Sequence, residues 1–265
     1  MKEASNALVL ADLHLDGWLA KGRDPFASLD PAKLASLEAL IIAGDLSNKP
    51  KVRWPRLLAH LSRYVDISRI YLFPGNHDYY DHVLDGEDRL ARICDEAGAH
   101  FAQKRVIIIG DIRYICCTLW TDFAIGGSVE EGMYQAGKWM HDYKYIRMVR
   151  AHYRRIQPID IARVHADHLA WLEARLAEPF AGRTIVVTHH APLGACLERE
   201  DEISGAYASD LSVMIDKYQP DAWLYGHTHY PREVTRGKTA IRCVSIGYPH
   251  QVETIVPPVL AALEK

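Results

Sequence analysis

Five short apolar runs in this chain each end in side chains that can ligate a metal. Residues 7–11 lead into Asp12-Leu13-His14, residues 40–43 into Gly44-Asp45, and residues 70–73 into Pro74-Gly75-Asn76-His77-Asp78. Residues 185–188 lead into His189-His190, and residues 222–225 into Gly226-His227-Thr228-His229. Apolar runs of this length suit strands buried on both faces. Ligands of open α/β sheets lie beyond the carboxyl ends of strands, so the chain needs a fold that brings five such ends together.

Three further runs, residues 106–109, 114–119 and 241–246, complete eight expected strands. Between them, Asp30-Pro31 sets an N-cap ahead of a proline at the first helical position, with Leu34, Leu37 and Leu40 following. Leu57, Leu58, Leu61 and Val65 mark a second helix, and Leu90, Ile93 and Ala97 a third that ends near Gly98. Leu169, Leu172 and Leu176 mark a fourth ending near Pro179, and residues 209–218 a fifth stopped by Pro220. Alternating strands and amphipathic helices define an α/β class with sheets covered by helices. Residues 1–265 read as a single domain, because no linker-like stretch divides them and no cut between Asp12 and His229 leaves the ligand set intact. Residues 121–161, rich in Tyr, Trp, Met and Arg without a clean strand pattern, read as a cap or insertion.

Composition narrows the function classes. A formal net charge of −3 offers no broad basic footprint for nucleic acid. The first apolar run is interrupted at Asp12, too early for a signal sequence or a membrane span. Five cysteines without a CxxC pair read as reduced, mostly buried thiols, which fits a cytoplasmic location. Adjacent Cys116 and Cys117 should face opposite sides of a strand.

The ligand types point to a metal pair. In Asp12-x-His14 and His227-x-His229 the two side chains would share one face of an extended segment. A carboxylate can bridge two cations. Mixed imidazole and oxygen donors suit Mn, Fe, Co or Zn rather than Ca, and no cysteine stands nearby to build a structural zinc cage.

The ordered set Asp12-x-His14, Gly44-Asp45, Gly75-Asn76-His77-Asp78, His189 and Gly226-His227-x-His229 resembles the calcineurin-like metallophosphoesterase family. Its gaps are 33, 31, 113 and 38 residues, so the resemblance covers most of the chain. It implies an α/β/β/α sandwich, two packed mixed β-sheets flanked by helices, with two transition-metal ions, Mn, Fe or Zn, at their carboxyl edge. Asp12, His14 and His229 would hold the first metal, Asn76, His189 and His227 the second, and Asp45 would bridge them. His77 would be the general acid near the substrate and Asp78 its orienting partner. Two divalent ions and two aspartates would leave a net +2, enough to hold a metal-bridging hydroxide as nucleophile and a phosphate ester.

The resemblance implies a phosphoric ester hydrolase, a phosphodiesterase or phosphatase acting on a small phosphoester. A nuclease of the same superfamily is the alternative, for which only the basic stretch from Arg147 to Arg155 speaks. A protein-binding scaffold is a second alternative, disfavoured because the ligands, His77 and Asp78 are all present. For substrate contacts the residues are Asn76 together with Tyr143 and Arg147, whose ring and guanidinium could stack a base or pair with phosphate. His190 should point away from the metals. His60, His82, His100, His165 and His168 should be surface or half-buried residues, and residues 194–210 a charged loop near the metal edge.

Overall fold

The structure is a computed structural model and describes residues 6–252. Two sheets face each other. The first contains β1 (Ala7–Leu10), β2 (Ala39–Ala43), β3 (Ile70–Phe73) and β4 (His100–Phe101), all parallel and in that order. The second begins with β5 (Arg105–Ile109) and β6 (Ile112–Cys117), an antiparallel hairpin turned by Gly110-Asp111. A small hairpin of β7 (Arg147–Met148) and β8 (Arg154–Arg155) stands apart. β9 (Arg183–Thr188), β10 (Ala222–Tyr225), β11 (Glu233–Arg236) and β12 (Thr239–Cys243) complete the second sheet in the order β11-β12-β10-β9-β6-β5.

Helices cover the outer faces. Against the first sheet lie α1 (Leu15–Ala20), α2 (Pro31–Ala35), α3 (Pro50–Leu61) and α4 (Glu87–Ala97). Asp30 caps α2 by accepting from the Ala32 amide at 2.8 Å, and Gly98, at φ 85°, ends α4 in the left-handed conformation. In α3, Trp54, Leu57, Leu58 and Leu61 form the buried i, i+3, i+4, i+7 stripe. Between β6 and β9 come α5 (Val129–Trp139), α6 (Asp142–Tyr145) and α7 (Pro158–Ala177); α8 (Ser212–Tyr218) precedes β10. The long α7 and α8 pack on the second sheet through Leu172, Leu176, Met214 and Ile215.

The inner layer is formed by alternate strand residues. Ile41, Phe73, Tyr114, Cys116, Ile185 and Val187 meet between the sheets, while Cys117 turns outward towards α7 and α8. The five cysteines of the chain are free thiols, four of them buried. Among the described residues no helix is long and apolar enough to cross a membrane.

Two strand boundaries shift from the sequence expectation. β6 stops at Cys117 because Leu119 and Trp120 take φ of 70° and 57°, which turns the chain. β12 stops at Cys243, after which Ser245 bridges Ala11 in parallel and joins the two sheets at the end of β1. The short β4, β7, β8 and β11 carry no apolar run and were not expected.

His82, His165 and His168 correct a second expectation: all three are buried, at 5%, 3% and 3% exposure, the last two on the inner stripe of α7. Burial pushes the His168 imidazole down to about 3, and its Nδ1 has no hydrogen-bond partner among the described residues. The folded state therefore holds His168 neutral where the unfolded chain would protonate it. That contribution is present above pH 6.5 and is lost progressively as pH falls from 6.5 towards about 3. Urea unfolding at pH 7 and pH 5 should show His168→Leu losing about 2 kcal/mol less on acidification than the parent chain. Equal losses would place the acid sensitivity elsewhere.

Candidate metal centre

The carboxyl ends of β1, β2, β3, β9 and β10 converge where the two sheets meet. Three groups of side chains there have ligand atoms within 4.8 Å of one another: Asp12 with His14 and His229, His14 with Asp45 and His77, and Asp45 with His189 and His227. Asp45 Oδ2 lies 3.8 Å from His14 Nε2 and 3.6 Å from His189 Nε2, between the two outer groups. Asn76 Oδ1 lies 3.1 Å from His189 Nε2. The seven expected ligands thus gather at one sheet edge together with His77, and Asp45 belongs to two of the three groups.

They do not reach it along extended backbone. Asp12, His14, Asp45, His227 and His229 all have positive φ, from 38° to 67°. Residues other than glycine rarely occupy this region, at a cost of about 1–3 kcal/mol each. The Asp-x-His and His-x-His side chains share the site because the chain turns at each ligand. Close backbone approach allows those turns: Asp12 N donates to Gly44 O at 3.0 Å and His14 N to Asp45 O at 2.9 Å. Gly75 is needed for this crowding, because a Cβ there would strike Asp45 Oδ1 and come within 2.5 Å of His189 Cε1. A Cβ at Gly226 would stand 2.6 Å from Asp12 Oδ2.

Neighbouring groups aim the ligands. Asp12 Oδ2 accepts from His227 N at 2.8 Å and Ser245 Oγ at 2.5 Å, leaving Oδ1 for the site. His189 Nδ1 lies 3.0 Å from Ala43 O, and His229 Nδ1 lies 2.8 Å from Gln251 Oε1. Each acceptor favours a proton on Nδ1 and turns Nε2 towards the site, where His229 Nε2 lies 3.1 Å from Asp12 Oδ1. Asn76 Nδ2 donates to Asp142 Oδ1 at 2.9 Å. His190 is buried with Nδ1 3.2 Å from Thr118 O, its ring beside that of His227.

The electrostatics fit cations. Asp45 Oδ2 and His227 Nε2 are buried without a hydrogen-bond partner among the described residues, a costly arrangement for polar groups, and Asp12 Oδ1 meets His229 Nε2 at 3.1 Å. Burial, reinforced by Asp12 and Asp78, pushes the Asp45 carboxyl well above the usual carboxylate range. For Asp12, the raising effect of burial is outweighed by His229, and its carboxyl sits well below that range. Two divalent ions between these groups would satisfy the orphaned atoms and offset the carboxylate repulsion. The donors are oxygen and imidazole nitrogen, a set suited to transition metals.

His77 and Asp78 part company with the expectation. Asp78 does not touch the His77 ring. Its carboxylate accepts from the amides of Asp45 at 2.7 Å, Gly75 at 3.0 Å and Ser47 at 3.0 Å, and from Trp54 Nε1 at 3.0 Å. The partner of His77 Nδ1 is Asn48 Oδ1 at 2.9 Å. Burial, with His189 adding to it, pushes the His77 imidazole down to about 3. His77 Nε2 faces the cavity, 3.5 Å from Tyr248 OH.

A cavity of about 370 Å³ opens over the metal positions, walled by Tyr80, Trp139, Met140, His141, Tyr207 and Tyr248. Residues 139–141 come from the segment expected as an insertion. Tyr143 and Arg147 do not line it. Tyr143 packs with Tyr79, Trp120 and Ile161, and Arg147 turns to Tyr153, donating to its carbonyl at 3.0 Å with the guanidinium 5.1 Å from the ring centre. Contrary to expectation, neither side chain stands at the cavity to touch a substrate. Asn48, Asp142, Ser245, Tyr248 and Gln251 went unrecognised because none belongs to a strand-end motif.

Residues 6–231 match the calcineurin-like phosphoesterase family. An uncharacterized protein of Acanthamoeba polyphaga mimivirus is 25% identical over 240 residues, 82% of this chain and 81% of its own. Phosphopantetheinyl hydrolase from Mycobacterium tuberculosis superposes with a TM-score of 0.69 at 22% identity, over 93% of this chain and 90% of the other. A putative 5′-nucleotidase from Staphylococcus aureus gives a TM-score of 0.52 at 14% identity, over 91% of this chain but 48% of its own. At such identities the structural likenesses speak for the shared fold. With the match spanning most of its length, this chain belongs to the calcineurin-like phosphoesterases, a family of binuclear-metal phosphoester hydrolases.

Proposed function

We propose that this protein, folded as one domain around ligands drawn from both sheets, hydrolyses small phosphodiesters with two transition-metal ions. Manganese, iron and zinc are the candidates. Asp12, His14 and His229 would hold one ion, Asn76, His189 and His227 the other, with Asp45 between them. The observation that carries the reading is the lining of the cavity: Tyr80, Trp139, Met140, Tyr207 and Tyr248 stand on it, and no Lys or Arg does so among the described residues. A diester brings one negative charge and a second organic arm, and the walls accommodate that arm. A monoester dianion brings a second charge for which the cavity supplies no cationic side chain. The phosphopantetheinyl hydrolase likeness agrees with an ester carrying a sizeable organic group.

When bound, the ion pair supplies Lewis acidity that polarises the phosphoryl group and makes water nucleophilic near neutral pH. The chain's own residues do the rest. Asn48 holds the Nδ1 side of His77, so that Nε2 addresses the leaving oxygen. Burial keeps His77 neutral in the free site, and a bound anionic ester next to it favours its protonated form. In that form Nδ1–H stays on Asn48, and Nε2–H passes to the departing alkoxide. Tyr80 and Tyr248 flank the ring, the Tyr80 ring centre 4.4 Å from it, and limit its rotation.

Two outcomes test this reading. After apo-protein is reconstituted with Mn, Fe or Zn, kcat/KM for bis-nitrophenyl phosphate should exceed that for nitrophenyl phosphate by at least about tenfold; the reverse order would make the protein a monoesterase. His77→Ala should lower kcat by about 10²–10⁴-fold on alkyl esters and far less on nitrophenyl esters, with metal content retained. Equal losses on both would remove His77 as the acid.

A further inference from the structure

We infer that Asp142 is a positioning residue of the metal centre: it holds the Asn76 side-chain amide so that the carbonyl oxygen, and not the nitrogen, faces the second metal position. The inference rests on the proposed ligation by Asn76. An asparagine amide has two ends of nearly equal shape and opposite hydrogen-bonding character, and only the oxygen can ligate a cation. In this site Asn76 Nδ2 donates to Asp142 Oδ1 at 2.9 Å, while Asn76 Oδ1 lies 3.1 Å from His189 Nε2. A carboxylate only accepts. Were the amide reversed, two acceptor oxygens would meet at a place where Asn76 is 1% and Asp142 4% exposed, with no solvent to relieve them.

The carboxylate is itself held. Tyr80 OH, from the cavity wall, donates to the same Asp142 Oδ1 at 2.6 Å. Asp142 opens α6, directly after Met140 and His141 at the cavity, and among the described residues its side chain accepts from Asn76 and Tyr80. A capping role does not explain a buried carboxylate here. Its charge does more than choose the amide orientation: a negative group against Nδ2–H shifts electron density towards Oδ1 and strengthens a neutral ligand. Residues between β6 and α7 thereby become part of the centre, although none of the metal-ligand motifs lies among them.

The test is metal binding by the full chain, independent of turnover. Chelator-stripped protein is titrated with Mn²⁺ in a calorimeter, and the melting temperature of each apo-protein is recorded. The parent should bind two ions. Asp142→Asn should bind the first with unchanged affinity and the second about 10–100-fold more weakly. Tyr80→Phe, which removes the hydroxyl holding Asp142 but keeps the carboxylate, should weaken the second affinity less than Asp142→Asn does. The exchanged pair Asn76→Asp with Asp142→Asn presents a carboxylate ligand to an amide donor and should bind two ions again; this also keeps the inference falsifiable if Asp142→Asn alone does not fold. A parent that takes up fewer than two ions would overturn the metal-pair reading together with this one. A two-ion parent whose Asp142→Asn variant matches it in both affinities, or an exchanged pair that folds and fails to regain the second ion, would overturn the role of Asp142 alone.

Discussion

The buried carboxylate of Asp78 accepts four hydrogen bonds, from the amides of Asp45, Ser47 and Gly75 and from the Trp54 indole. These donors come from the loop after β2, the loop after β3 and helix α3. One side chain thus locks two strand ends to the helix that covers them. Burial raises its carboxyl to about 6, and the four donors work against that rise. With the two loops locked, the His77 amide reaches Asp45 Oδ1 at 2.9 Å, which leaves Oδ2 turned into the site. The shared position of Asp45 between the two ligand groups depends on this arrangement.

The centre is built against local preference. Five of the proposed ligand residues occupy left-handed backbone, and Asp45 Oδ2 and His227 Nε2 lie buried without hydrogen-bond partners among the described residues. Each feature is unfavourable in a metal-free chain. The surrounding sheets over-determine the geometry: the end of β1 is gripped by Val244 and Ile246 through backbone hydrogen bonds of 2.9 and 2.8 Å. Cation binding then returns stability in proportion to occupancy, so folding and metal loading are thermodynamically linked.

The segment between β6 and α7 supplies part of the cavity wall. It sends Trp139, Met140 and His141 to the cavity wall, places Asp142 behind Asn76, and buries Met140 and Ile146 against Tyr79, Tyr80 and Trp120. Two of its arginines are engaged elsewhere, Arg154 with Asp160 and Arg147 with Tyr153. Among the described residues no Lys or Arg lines the cavity.

Much of this was legible in the sequence because it depends on short-range chemistry. Strand-length apolar runs ending in Asp12, Asp45, Asn76, His189 and His227 announced both the sheets and the ligand types, and the family resemblance supplied their grouping. Asp30-Pro31 and Gly98 marked helix ends by rules that operate within a single turn. The outcome differed where a side chain's partner lies far along the chain. Asp78 neighbours His77 in sequence, yet its carboxylate turns to four donors on other segments, and Asn48 takes its place against the imidazole. Tyr143 and Arg147 have the right chemistry for substrate, but one is drawn into an aromatic cluster and the other to its own hairpin. The sequence by itself determined which atoms could ligate metal and that strands would deliver them. Only the tertiary structure decided their backbone conformation, the aim of each ligand and the walls of the cavity, because those follow from burial and hydrogen bonds between residues separated by tens to hundreds of positions.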